Sequence, residues 1–174
     1  AGGGNLSAAS LAKAIALTTG TVTLKAATTF NLAGSGADIA AIYSASNTVN
    51  IKNGDETFLV TGTSVSADDI VIFSKKANAG GTGSTGNVII GKSATAVNLV
   101  GSSGAVEKVL KDYKNAGGPN AAAVGGGGFI FAAADGTTAK NPTVTVTGVS
   151  ASADDLHKAN DYAVDAGITV TAQK

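Results

Sequence analysis

Apolar residues occur along this chain in short runs separated by Gly, Ser, Thr and Asn. The segment Pro142-Thr143-Val144-Thr145-Val146-Thr147 alternates apolar and polar positions strictly, which predicts a half-buried strand. Thr18 to Leu32 is rich in Thr, Val and Phe and predicts one or two more. The runs Ile70-Val71-Ile72-Phe73, Val88-Ile89-Ile90 and Val97-Asn98-Leu99-Val100 have strand length, and Ile168-Thr169-Val170-Thr171 predicts a closing strand. Asn53-Gly54 supplies the two positive φ angles of a type I′ turn, so the flanking segments Thr48–Lys52 and Asp55–Val60 predict a β-hairpin. That turn would pair Lys52 with Asp55 and Val49 with Phe58, matching charge with charge and apolar with apolar.

Helical spacing occurs in three places. Leu6 to Leu17 is Ala-rich, with Asn5 or Ser7 available as a cap. In Ala105 to Asn115, Val106, Val109, Leu110 and Tyr113 recur at i, i+3, i+4 and i+7, and Gly117 follows as a stop. Asp154 to Ala166 predicts a third short helix. The expected fold is therefore mainly β, sandwich or jelly-roll-like, with two or three short helices, one of them N-terminal. Residues 1–17 read as an N-terminal arm or short helix, and residues 18–174 as a single β-rich domain. Within it, Val60–Ile70 (VTGTSVSADDI) and Val146–Leu156 (VTGVSASADDL) agree at eight of eleven positions, 86 residues apart. A weak internal repeat left by duplication is one account; the simpler is a reused local device, in which a strand ends at Gly and Ser then caps a turn whose Asp stands three residues on.

Composition turns this picture toward the cell exterior. Among 174 residues there is no Cys, Met, Trp or Arg, and only 14% are charged. An apolar fraction of 44% at zero net charge argues for a folded chain. Zero net charge without Arg removes the attraction and the bidentate contacts that nucleic-acid binding uses. No stretch approaches the roughly 18 apolar residues of a membrane span. The start Ala1-Gly2-Gly3-Gly4 reads as the residue of signal-peptide cleavage. Lack of Cys and Met suits an oxidising exterior.

Candidate chemistry is sparse. The acidic pairs Asp68-Asp69 and Asp154-Asp155 are weak calcium candidates, because calcium needs six to eight oxygens and no EF-hand loop surrounds them; helix capping explains them without a metal. His157, the only histidine, lacks a nucleophile elbow and reads as a solvated surface residue. The string Gly86-Asn87-Val88-Ile89-Ile90-Gly91-Lys92-Ser93 matches a phosphate loop in letters, but its four central residues form strand where the loop must be loose. Gly125-Gly126-Gly127-Gly128 lacks the Gly-Lys-Ser/Thr ending altogether. Asn5-Leu6-Ser7 is an N-glycosylation sequon. No catalytic residue, cofactor or metal is expected, and the chain does not read as an enzyme.

Short strands leave edges that invite pairing with another chain. The expected function is a secreted structural subunit that self-assembles into an extracellular filament, pilus or surface layer by β-strand exchange. The expected assembly residues are Val22, Leu24, Phe30 and Leu32 in a donor-like segment, and Ile168 and Val170 at the far end. The expected partners are copies of the chain itself, with host or surface glycans as further candidates. A virion structural protein (capsid, tail or fibre) and a carbohydrate- or surface-binding module are the alternatives; the shortage of aromatics weighs against the latter.

Overall fold

Ser residues set the rhythm of this molecule. A computed structural model describes residues 5–23, 31–44, 49–50, 57–77, 87–91, 97–115, 129–131, 142–147, 151–165 and 167–172. Among these residues the helices are α1 (Ala8–Ala16), α2 (Gly36–Ser44), α3 (Ala67–Ala77), α4 (Ser103–Asn115) and α5 (Ala153–Asp165). Each begins on the residue after a Ser: Ser7, Ser35, Ser66, Ser102 and Ser152. At four of these starts the Ser Oγ accepts the backbone N–H three residues on, at 3.3 Å from Ser10, 3.1 Å from Asp38, 3.1 Å from Asp69 and 3.3 Å from Asp155. This is the N-cap bond, which satisfies a donor that the helix itself leaves open.

Among the described residues the strands are β1 (Asn5–Ser7), β2 (Val22–Thr23), β3 (Asn31–Ser35), β4 (Val49–Asn50), β5 (Thr57–Thr61), β6 (Ser64–Ser66), β7 (Asn87–Ile90), β8 (Asn98–Gly101), β9 (Phe129–Phe131), β10 (Thr143–Val146) and β11 (Val170–Ala172). They form a five-stranded sheet in the order β1-β3-β5-β7-β9, a four-stranded sheet in the order β11-β10-β8-β6, and the pair β2-β4. Every pairing is parallel. Order in each sheet follows order in the chain, so the molecule is a stack in which each coil lies on the one before. The first two steps of the five-stranded sheet are both 26 residues long, from Asn5 to Asn31 to Thr57.

Register in the five-stranded sheet aligns Leu6, Leu32, Phe58, Val88 and Phe129, and beside them Gly34, Val60, Ile90 and Phe131. Leu32, Phe58, Val60, Val88, Ile90 and Phe131 are buried and join one core with residues from all five helices. Within it Phe58 meets Tyr43 edge-on at 5.5 Å and Phe73 at 5.3 Å, and Tyr113 meets Phe131 at 5.1 Å. Leu59 faces the other way from Phe58 and is also buried, outside that core. Apolar positions on both faces explain the unbroken run Phe58-Leu59-Val60, which is how a parallel sheet covered on both sides reads.

These findings correct the expected β-sandwich or jelly roll. The architecture is α/β, with parallel sheets and five helices. Three particulars account for the difference. The run Ile70–Phe73 lies inside α3, because the Ser66 cap starts a helix three residues earlier and a short apolar run has no period of its own. The predicted hairpin pairing does not form: Val49 pairs with Val22, and Phe58 pairs with Leu32 and Val88, all in parallel. The Asn53-Gly54 turn lies outside the described residues. Residues 5–16 are integrated into the stack, with β1 paired to β3 and α1 packed on α2. The helices predicted near residues 6–17, 105–115 and 154–166 are present, as are the strands at 88–90, 97–100 and 143–146.

Candidate functional site

Polar side chains collect where the helices start. Because each helix follows its coil in the same sense, their N-termini lie side by side along one ridge. Contacts document every step. A β-carbon placed at Gly34 would stand 2.7 Å from Ala8 Cβ, and one at Gly36 would stand 3.7 Å from Asp69 Cβ. Asp68 accepts the Ser102 N–H at 3.1 Å on one carboxylate oxygen and the Ser102 hydroxyl at 2.6 Å on the other. Ser103 donates its hydroxyl to Asp155 at 3.3 Å and accepts the Ser152 N–H at 3.2 Å.

Parallel helices packed side by side bring like dipole ends together, which is unfavourable. Acidic residues in the first turn offset the positive ends. Asp38, Asp68, Asp69, Asp154 and Asp155 occupy those turns. Asp38 also accepts the Ser35 hydroxyl at 2.7 Å, closing a reciprocal cap. Burial pushes the Asp69 carboxyl above its ordinary range, and neighbouring Asp68 adds to this, while the hydrogen bond with Ser66 opposes it. The ridge is thus already supplied with negative charge, and a phosphate or carboxylate ligand would meet repulsion there.

The acidic pairs considered for calcium have structural partners. Asp68 holds Ser102, Asp155 holds Ser103, and Asp154 pairs with Lys158 at 2.6 Å on the same helix face. That contact raises the Lys158 ammonium pKa, first through the hydrogen bond and then through the charge of Asp154. Among the described residues, no group of three or more His, Cys, Asp or Glu is placed to hold a metal. His157 is exposed on α5, with Nε2 3.6 Å from Asp161. Gly91 closes β7, donating its N–H to the Val60 carbonyl at 2.8 Å; Lys92, Ser93 and Gly125–Gly128 lie outside the described residues. In the sequon, Asn5 Oδ1 accepts from Asn31 Nδ2 at 3.0 Å and Ser7 caps α1.

The expected assembly residues are dispersed. Leu32 is fully buried in an interior strand, held between β1 and β5. Val22 sits in β2 and packs against the core. Leu24 and Phe30 lie outside the described residues. Ile168 is buried just before β11, and Val170 is half-buried within it. Strands β1 and β11 end their sheets. The structure adds residues that the sequence did not single out, Asn31 as the partner of Asn5, Asn98 with Thr143 and Thr145, and Ser102 and Ser103 with the acidic pairs. Asn98 Oδ1 accepts the hydroxyls of Thr143 and Thr145, each at 3.2 Å. Asn-Leu at 5, 31 and 98 opens each of three strands that run into helices, and its 26-residue recurrence at the start was the available signal.

Among the described residues, no helix is long and apolar enough to cross a membrane. Among the described strands, neither larger sheet reverses its order, the feature that opens a ligand crevice in doubly wound sheets. No family model, curated protein or solved structure matches the chain.

Proposed function

We propose that this chain is an extracellular structural segment, a stacked-coil scaffold that assembles with copies of itself by strand addition at its open sheet edges. The observation that carries this reading is the use made of the polar side chains. Asn5, Asp68, Asn98, Ser102, Ser103 and Asp155 all bond to a neighbouring coil, and so spend their chemistry on holding the stack together. A parallel edge strand carries unpaired N–H and C=O groups that another strand can satisfy. Strands β1 and β11 supply those edges, whereas Leu32 is held within its own chain. A chain with neither Cys nor Met tolerates an oxidising exterior. This reading assigns no catalytic role to any residue.

Negative-stain electron microscopy of the purified protein tests the proposal. Regular filaments or sheets are the expected outcome, and Thr171→Lys, which places a charge on exposed β11, should shorten them or abolish them while leaving the fold intact by circular dichroism. Dispersed single particles at high concentration would overturn self-assembly.

A further inference from the structure

We draw no further inference here: the strongest candidate, the uncharged outer face of the four-stranded sheet with Ser64, Ser66, Asn98, Val100, Thr143 and Thr145, is a patch of small side chains whose documented hydrogen bonds run among its own members and the backbone, and nothing in the structure shows what covers it.

Discussion

At the scale of single residues, the tightest constraint lies where one coil rests on the next. A β-carbon at Gly101 would stand 2.8 Å from Ala67 Cβ and 2.9 Å from a carboxylate oxygen of Asp68. Ala67 and Asp68 open α3, so neither can retreat without disturbing the cap and the bond to Ser102. Gly101→Ala is therefore expected to destabilise the protein by about 1–3 kcal/mol, as overpacking does. Gly20→Ala, whose added carbon meets nothing nearer than Thr18 Oγ1 at 3.5 Å, should change stability by no more than about 0.5 kcal/mol. Urea denaturation of both variants checks the contrast. Tyr113 gives a second test at this scale. Burial raises its phenol pKa from 10.0 to about 12, so the folded state favours the neutral form. The unfolded chain ionises first; this contribution is complete below pH 10 and is lost as pH rises from 10 toward 12. Wild type should then lose up to about 3 kcal/mol more than Tyr113→Phe across that window, measured by unfolding at stepped alkaline pH.

Elements are decided by their first residue more than by their apolar content. Ile70–Phe73 would suit a buried strand as well as a helix, and the Ser66 cap settles it by bonding the Asp69 N–H. The echo between residues 60–70 and 146–156 has the same basis. In the first copy Val60 and Thr61 end β5, Gly62 turns the corner at φ 117°, β6 follows, and Ser66 caps α3. In the second copy Val146 ends β10, in the other sheet, and Ser152 caps α5. The matching letters thus leave different sheets, and among the described residues both copies end in a capped helix start. Gly62 is needed at its corner because a side chain rarely tolerates that backbone angle. Ser66→Ala should cost about 1 kcal/mol, and Ser66→Asp should recover part of it, since either oxygen can accept the N–H. Thermal unfolding of the pair distinguishes a cap from a packing effect, because only a cap is rescued by Asp.

Across the whole molecule, contacts run from each coil to its neighbours: α1 to α2, α2 to α3, α3 to α4 and α4 to α5. Stability in such a stack is close to a sum of coil and interface contributions, so damage at one end should stay there. Leu11→Ala, at a 6% exposed position in α1, is expected to raise hydrogen exchange in residues 5–16 while leaving α4 and α5 protected. Equal loss of protection in all five helices would show that the chain unfolds as one unit. Several local elements were legible beforehand, whereas the parallel stack was not. Strict alternation located β10 and the i, i+3, i+4 and i+7 spacing located α4, because these signals act within a few residues of the chain. Ser-Ala-Asp-Asp marked a capped turn, but the helix α3 that starts there replaces the strand expected over Ile70–Phe73. The sequence by itself determined local conformation at those places, along with the scarcity of charge. Tertiary structure alone decided which strands pair and in which direction. Parallel pairing joins residues 26 or more positions apart in the five-stranded sheet, and its energy comes from burying Leu32, Phe58 and Val88 in one aligned column. Only when coils stack do Asp68 and Ser102, 34 residues apart, become partners.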